Sequence, residues 1–287
     1  MSNIFKTTLL LTVMTLLLML AGRAFGGQNG MLIALAFAAV MNFVSYFFSD
    51  KIALATYRAQ PVIREDLPRV YNIVERLAQK VSLPMPKVYV IPTDSPNAFA
   101  TGRNPNHASV AVTQGILGLL TDDELEGVLA HELGHVRNRD ILISSIAATL
   151  AGAITYLASI ARWGMIFGGM RGSRDRDGGG GIAAIAMIFL APFAAMLIQL
   201  AVSRSREYGA DDTGAHWTGN PYALASALAK IDAYSRQRPL VASPSTAHLF
   251  IIQPFLGGMS FGNLFSTHPP TAKRIERLTG RPAEFTQ

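Results

Sequence analysis

Long stretches without a single charged residue constrain this chain more than any other feature of its sequence. A transmembrane helix needs about 20 consecutive, predominantly apolar residues. Four uncharged runs approach or reach that length, at residues 7–22, 31–48, 141–161 and 182–202. Only 15% of all residues are charged, against about 25% in ordinary soluble proteins. The sequence therefore predicts a membrane protein with about four transmembrane helices.

The first two runs predict a transmembrane hairpin over residues 1–50, with its turn in the glycine-rich stretch 23–30. A secretory signal peptide is the alternative for the first run, since a basic start and an apolar core fit both. Lys6 and Lys51 flank the outer ends of the hairpin, whereas its turn contains only Arg23. By the positive-inside rule, both ends are expected to face the cytoplasm.

The last two runs predict a second hydrophobic hairpin over residues 141–203, with a Gly/Arg-rich loop at 162–181. Their length and lack of charge favour the membrane over a buried soluble helix. If both arms cross, the arginines of the loop lie outside, against the positive-inside tendency. A hairpin that enters without crossing, or one that is buried against protein, therefore stays open.

Net charge and cysteine content argue against nucleic-acid binding and against cysteine-based chemistry. The net charge is +6, but the basic residues are scattered and often flank apolar runs. Juxtamembrane charge explains this distribution, so no nucleic-acid partner is expected. The chain contains no cysteine, which excludes disulfides, thiolate metal ligands and cysteine nucleophiles.

The metal-binding pattern H-E-x-x-H occurs in residues 121–140, as HELGH. On a helix, His131 and His135 lie on one face about one turn apart, where both can bind a tetrahedral metal ion. Glu132 then lies beside the metal, in the position of the glutamate that acts on water in zinc hydrolases. A T-x-x-E capping box at Thr121 supports the helix. The pentapeptide alone also fits an exposed polar face with two histidines that bind nothing.

The third ligand decides between these alternatives. Glu207 follows the fourth run by five residues, and His135 precedes the third run by six. If these runs form an antiparallel pair, both side chains lie at the same height above the membrane face, which gives a His₂Glu site with an open fourth position. Asp211, one turn beyond Glu207, is then placed to accept the free N–H of a ligand histidine. A surface charge near Arg204 and Arg206 is the alternative for Glu207.

The remaining segments complete a mainly α membrane protein with a small α+β, zincin-like catalytic domain. Residues 51–140 predict a cytoplasmic α/β part, with a helix at 70–81 and strands at Lys87–Ile91 and 109–112. The metal helix is expected to continue into the third run, because no proline interrupts it. Residues 204–287 predict the third-ligand helix and C-terminal cytoplasmic helices, the last one ended by Gly280.

Four motifs together resemble those of the HtpX-type membrane zinc metalloproteases, bacterial relatives of the CAAX prenyl endopeptidases. They are NAFATG, HELGH before an apolar run, EYGAD after another, and THPPTAKRIERL near the end. The resemblance implies an endopeptidase of the bacterial inner membrane that has a cytoplasmic zinc site and acts in stress response and protein quality control. It makes His131, His135 and Glu207 the ligands of one Zn²⁺ and Glu132 the catalytic base.

The resemblance also indicates partners. Substrates would be misfolded or damaged membrane proteins and unfolded polypeptides, and the lipid bilayer and other membrane quality-control proteases would be further partners.

An extended substrate would add to an edge strand within residues 95–102, formed by Asn97, Ala98, Phe99 and Ala100. An ordinary strand and turn is the alternative. His268 is the candidate oxyanion stabiliser or fourth ligand, and a capping or packing histidine is its alternative.

Three rival functions remain. A non-catalytic zinc-containing membrane chaperone or scaffold would normally close all four metal positions with protein side chains. A metal transporter would usually carry ionisable residues within its spans, and the four runs have none. A soluble zinc protease tethered only at its N-terminus would differ in the last two runs alone.

Overall fold

The described part of the chain is mostly helical, around a small sheet. The computed structural model describes residues 3–147, 149–150, 204–237, 251–252 and 269–281. This composition agrees with the predicted mainly α protein with a small α+β part. The loop 162–181 and most of the last two apolar runs lie outside the described residues, so the second hairpin, the count of four transmembrane helices and the predicted domain division stay predictions.

The N-terminal helix α1 (Asn3–Thr56) folds back on itself at Gly26 and Gly27. Gly27 has a φ of +58°, a conformation that glycine adopts readily and residues with a side chain rarely adopt. The turn thus lies within the glycine-rich stretch that the sequence assigns to it, and α1 continues beyond residue 50.

The two arms of α1 touch each other near this turn. A Cβ atom built on Gly22 would lie 2.4 Å from the carbonyl oxygen of Gly30, and one built on Gly30 would lie 2.2 Å from that of Gly22. Further along, the Asn42 amide donates a hydrogen bond of 2.9 Å to the Thr15 hydroxyl. Small residues allow this close approach of two helices, as they do between helices in membranes.

One helix among the described residues, the arm Gly26–Thr56, is long and apolar enough to cross a membrane. The apolar helix of the other arm, Thr7–Leu20, is shorter. Many large apolar side chains of both arms point outward, as an environment of lipid requires. More than half exposed are Phe5, Leu16, Leu20, Leu32, Ile33, Val40 and Phe43.

The sheet has four strands in the order β1-β2-β4-β3. They are β1 (Gln60–Pro61), β2 (Lys87–Ile91), β3 (Ala98–Gly102) and β4 (Ala108–Thr113). β2 and β4 are parallel, whereas the other two pairs are antiparallel. β3 therefore lies at an edge of the sheet, as predicted.

Alternation along the strands gives the sheet two apolar faces, because successive side chains point to opposite sides. Val88 and Val110 lie on the face that packs against helices α2 (Pro68–Lys80) and α4 (Asp122–Arg137). Phe99 and Ala111 lie on the other face, in one cluster with residues at the end of α1. The sheet thus lies between helices α2 and α4 on one side and the end of α1 on the other.

The remaining helices are α3 (Gln114–Leu119), α5 (Arg204–Thr218), α6 (Pro221–Gln237) and α7 (Thr271–Thr279). Of these, α5 and α6 pack against α4, and α7 packs against α5 and α6. The predicted capping box is confirmed: Glu124 N–H donates to the Thr121 hydroxyl, and the Glu124 carboxylate accepts the Thr121 N–H. α7 ends where predicted, at Gly280 with a φ of +69°.

The prediction that the metal helix continues into the third apolar run is wrong. α4 ends at Arg137, Arg139 takes a left-handed φ of +57°, and a new helical segment covers residues 141–147. The Asp140 N–H donates to the His135 carbonyl at 2.9 Å. This turn brings the Asp140 side chain back to His135, which an uninterrupted helix would not do.

α4 and α5 pack closely because a glycine lies between them. A Cβ atom on Gly214 would lie 3.0 Å from the backbone nitrogen of His131, tighter than ordinary contacts. The approach of these two backbones places the first two turns of α5 opposite the histidines of α4.

Candidate metal centre

Three side chains of α4 face the sheet edge and α5. His131 is 1% exposed and Glu132 is also buried, while His135 is half-buried at the C-terminal end of the helix. The two imidazoles are nearly perpendicular, at 89°, with ring centroids 4.8 Å apart. The helical spacing predicted from the sequence thus places the two imidazole rings next to each other on one face of α4.

Glu207 completes a triangle of donor atoms. The Nε2 atoms of His131 and His135 are 3.3 Å apart, and the Glu207 carboxylate oxygens lie 3.8 Å and 3.6 Å from them respectively. Glu207 is 7% exposed, so it is not the surface charge considered as its alternative.

This triangle fits a zinc ion. Two ligand atoms on a tetrahedral ion with bonds of about 2.0–2.1 Å lie roughly 3.3–3.4 Å apart, close to the observed separations. Within the described ranges, His131, His135 and Glu207 are the group of three whose donor atoms lie within 4.8 Å of one another. Two nitrogens and one oxygen are also the donor types that zinc prefers.

A carboxylate engages the second nitrogen of each imidazole. Asp211 Oδ1 lies 2.9 Å from His131 Nδ1, and Asp140 Oδ2 lies 3.3 Å from His135 Nδ1. A carboxylate accepts a hydrogen bond from Nδ1–H, and in this tautomer each Nε2 keeps its lone pair free. Both histidines are therefore held in the tautomer that a metal ligand needs.

Arg274, on α7, forms a two-pronged ion pair with Asp211. Its Nε and Nη2 donate to the two Asp211 oxygens at 2.8 Å and 2.6 Å. Its Nη2 is also 3.5 Å from His131 Nδ1, but that nitrogen cannot accept from Arg274 while it donates to Asp211. The shorter contact to the carboxylate decides the assignment. Burial pushes the pKa of Asp211 up, but the Arg274 charge and hydrogen bonds outweigh it and lower that pKa to about 2.

The negative charges of nearby carboxylates favour the protonated form of His135. Burial pulls the pKa of His135 down, but the hydrogen bond to Asp140 and the charges of Glu207 and Glu132 outweigh it, and the pKa rises to about 9. The carboxylates around His135 therefore favour a positive charge at this position.

Glu132 points to the edge strand instead of the donor triangle. Its Oε2 accepts the backbone N–H of Ala100 at 2.9 Å. Burial raises the pKa of the Glu132 carboxyl, partly opposed by His131 and His135. A buried carboxylate with a raised pKa, in contact with the strand and beside the ligands, has the properties of a general base.

The predicted substrate strand lies next to this base, but one of its side chains is engaged elsewhere. Asn97 Oδ1 accepts the backbone N–H of Ile251 at 3.0 Å, so that oxygen is directed to the chain itself and not to a substrate. The role of Asn97, Ala98, Phe99 and Ala100 in substrate binding stays a prediction. His268 lies outside the described residues.

Sequence reasoning missed Asp140 and Arg274. Asp140 reaches His135 only because the chain turns at Arg139. Arg274 belongs to a short basic helix in which neighbouring Lys273 and Arg277 are exposed, and the burial of one arginine among them depends on tertiary packing. The apolar Ile275 beside it, in the core cluster, was the available indication that this face of α7 is buried.

The comparisons with known proteins agree with this geometry. A profile of Peptidase family M48 matches residues 65–282. The chain is 59% identical over 278 residues to "Protease HtpX homolog" of Desulforapulum autotrophicum, covering 97% of this chain and 90% of that protein. It is 56% identical over 274 residues to the protein of the same name from Pyrococcus furiosus, covering 95% and 94%.

A solved structure, that of S. mikatae Ste24p, has a similar fold. The TM-score is 0.53 at 20% identity, over 96% of this chain and 65% of that one. The chain thus spans slightly less than two thirds of the length of Ste24p.

Proposed function

The chain is a membrane metalloprotease that belongs to peptidase family M48, and from this membership we propose a specific activity for it: zinc-dependent endoproteolysis of misfolded or damaged membrane proteins at the cytoplasmic face of the bacterial inner membrane. The resemblance of its motifs to the HtpX-type enzymes agrees with the family match. The identity of the metal, the substrates, the choice of the bacterial inner membrane and the cytoplasmic face are the proposed part.

One observation carries the choice of reaction: three donor atoms converge within 4.8 Å, and Glu132 adjoins them in sequence and in space. His131, His135 and Glu207 would hold the ion. When bound, zinc acts as a Lewis acid: it lowers the pKa of water to about 7 and polarises a peptide carbonyl. Among the described residues the protein offers three ligands, and that number is typical of catalytic rather than closed structural sites.

Glu132 performs the proton transfers in this proposal. Its carboxylate takes a proton from the attacking water and gives it to the amine that leaves when the peptide bond breaks. The N–H of Ala100 at 2.9 Å holds the carboxylate at the strand edge, where an extended substrate would lie. A base that is already positioned avoids the entropic cost of orienting it during the reaction.

The edge strand also lies near the membrane hairpin, which supports membrane proteins as substrates. Phe99 of β3 packs against Tyr57, just beyond α1, with ring centroids 5.5 Å apart and the rings tilted by 51°. The Arg103 guanidinium, just after β3, lies 5.6 Å from the ring centroid of Phe47 on α1. A segment that emerges from the bilayer beside α1 would therefore reach β3 within a short distance.

The activity is tested by cleavage of an unfolded model protein with detergent-purified enzyme. Wild type, Glu132→Gln and Glu126→Gln are compared after chelation and after zinc is restored. Glu126 is on the same helix but pairs with Arg76 at the surface, so its variant should retain activity. We expect zinc-restored cleavage in wild type and Glu126→Gln, and a loss of at least about 100-fold in Glu132→Gln.

The other outcomes contradict the proposal. Equal cleavage by Glu132→Gln would point to a contaminant or another catalytic group. No cleavage by wild type with one zinc bound would favour the non-catalytic chaperone or scaffold. The substrate class is tested separately: the same unfolded segment is presented free or fused to a transmembrane anchor in vesicles, and preferential cleavage of the anchored form is expected.

A further inference from the structure

Arg274 is a buried cation with a complete set of partners. Its side chain is 1% exposed, although Lys273 and Arg277 on the same helix face solvent. Removing a guanidinium from water is unfavourable unless its donors are bonded and its charge is compensated. The burial of this arginine in a basic surface helix must therefore be compensated by the groups that it contacts.

The contacts of Arg274 form a continuous path to a predicted metal ligand. Two of its nitrogens bond the two oxygens of Asp211, at 2.8 Å and 2.6 Å. The Asp211 oxygen at the end of the shorter bond lies 2.9 Å from His131 Nδ1. One atom of Asp211 thus contacts both the arginine and the histidine.

A further contact anchors the guanidinium itself. Arg274 Nη1 donates to the backbone carbonyl of Ile251 at 2.6 Å, and the N–H of Ile251 donates to the Asn97 side chain at 3.0 Å. The plane of the guanidinium is therefore set by three bonds on two sides. Because Ile251 is linked to Asn97, the residue just before the edge strand, the same path reaches the proposed substrate side of the site.

We propose that Arg274 is a positioning residue of the metal centre, which orients His131 through Asp211 and so makes the C-terminal helix α7 a determinant of metal affinity. The inference rests on the proposed zinc site. A planar guanidinium that bonds both oxygens restrains rotation of the carboxylate, whereas a lysine would act as a single point charge. The rotation of Asp211 in turn sets the direction of the His131 ring.

The chain contains a matched control for this role. Arg277 bonds Asp212 with its Nη2 at 2.7 Å and its Nε at 3.2 Å. This pair repeats the chemistry on the same two helices, but both side chains are 51% exposed. An effect of charge or of helix docking in general would appear in both pairs, whereas an effect on His131 would appear only in the buried one.

The test measures zinc affinity of the detergent-purified full chain by competition with a chromophoric chelator. Arg274→Met should weaken zinc binding by about 10–100-fold, the usual effect of losing a group that supports a metal ligand. Arg277→Met should stay within about twofold of wild type, since exposed ion pairs contribute little. Arg274→Lys should fall between wild type and Arg274→Met.

A double variant covers the case in which Arg274→Met does not fold, since it leaves the Asp211 charge unpaired and buried. Asp211→Asn combined with Arg274→Met removes both charges. If Arg274 acts through Asp211, the double variant binds zinc within about threefold of Asp211→Asn alone. Wild-type affinity in the double variant, or losses that simply add, would overturn the inference.

The visible absorption of the cobalt-substituted protein separates orientation from stability. A variant that is only less stable would give the wild-type spectrum when loaded, whereas a reoriented His131 changes the ligand field. Unchanged affinity and spectrum in Arg274→Met would overturn the inference but leave the proposed function standing. A wild-type chain that binds no zinc would overturn the proposed function and the inference with it.

Discussion

At the scale of single residues, the centre combines donors from α4 and α5 with carboxylates that hold the imidazole rings. Glu207 is the donor that comes from a distant part of the chain. We expect Glu207→Ala to weaken zinc binding by roughly 100-fold or more, because losing even an indirect partner of a ligand costs about 10–100-fold.

The control for this prediction is Asp212→Ala, an exposed carboxylate on the same helix. It should leave zinc affinity unchanged in the same chelator competition. Wild-type affinity in Glu207→Ala would remove Glu207 from the ligand set.

Asp140 gives a second prediction at this scale. Its carboxylate is 3.3 Å from His135 Nδ1, and a neutral amide is a weaker acceptor for that N–H. Asp140→Asn should therefore lower zinc affinity by about 10-fold. Asp123→Asn, an exposed residue in the first turn of α4, serves as the comparison in the same titration. Equal affinities in the two variants would show that Asp140 has no such role.

The residues of this centre were predictable to different degrees. His131, Glu132 and His135 follow from helical spacing, and Asp211 follows from Glu207 by the same periodicity. Asp140 did not follow, because a backbone turn and not a period brings it to His135. Arg274 reaches the site through the docking of α7, which the apolar Ile275 beside it indicates only in part.

At the scale of elements, the α1 hairpin depends on the contact between its arms. Gly30→Ala places a methyl group against the Gly22 carbonyl, 2.2 Å from its oxygen, and should lower the free energy of unfolding by about 1–3 kcal/mol. Gly26→Ala is the matched control, since nothing lies within 4 Å of its Cβ position and its φ of −134° suits any residue. Thermal unfolding in detergent distinguishes them: equal midpoints would argue against a packed hairpin.

The capping box of α4 predicts a dependence on pH. Burial pushes the pKa of Glu124 up, but hydrogen bonds from Lys230, Ser226 and the Thr121 backbone outweigh it, and the pKa falls below its ordinary value of 4.5. A carboxyl whose pKa is lower in the folded state stabilises that state above pH 4.5, and this contribution disappears as the pH falls through the lowered pKa.

Glu124→Gln should accordingly cost about 1 kcal/mol at neutral pH. The difference in unfolding midpoint between wild type and variant should then shrink as the pH is lowered from about 6 to about 3. A difference that stays constant over this range would mean that the charge of Glu124 does not contribute.

Elements were easier to predict in type than at their ends. Strands β2, β3 and β4 and helices α2, α6 and α7 follow from periodicity and from their proline and glycine boundaries, whereas the two-residue strand β1 was not predicted. The end of α4 did not, because neither proline nor glycine marks it: Arg139 takes a left-handed conformation that asparagine or glycine adopts more readily. The contact of Asp140 with His135 is what this turn provides.

At the scale of the whole molecule, a metal ion would connect helices that are distant in sequence. A ligand that binds only the folded state stabilises it by about 2.7 kcal/mol when its concentration is 100 times the dissociation constant. Removing metal by chelation should therefore lower the unfolding midpoint, and zinc should restore it. Glu207→Ala should show little of this shift, and an equal shift in both proteins would place the stabilising ion elsewhere.

The separation of the donors along the chain also orders the events of biosynthesis. Glu207 follows His135 by 72 positions, so a nascent polypeptide displays HELGH long before the ribosome has added the residue that completes the triangle. Chains interrupted in between carry two imidazoles and a base, but no third donor. If Glu207 is the third ligand, as proposed, the capacity to cut peptide bonds arises only once Glu207 itself has been translated after the apolar stretch 141–203, and the proposed support from Arg274 arrives later still. On this proposal, a half-made protease would not act on the proteins around it.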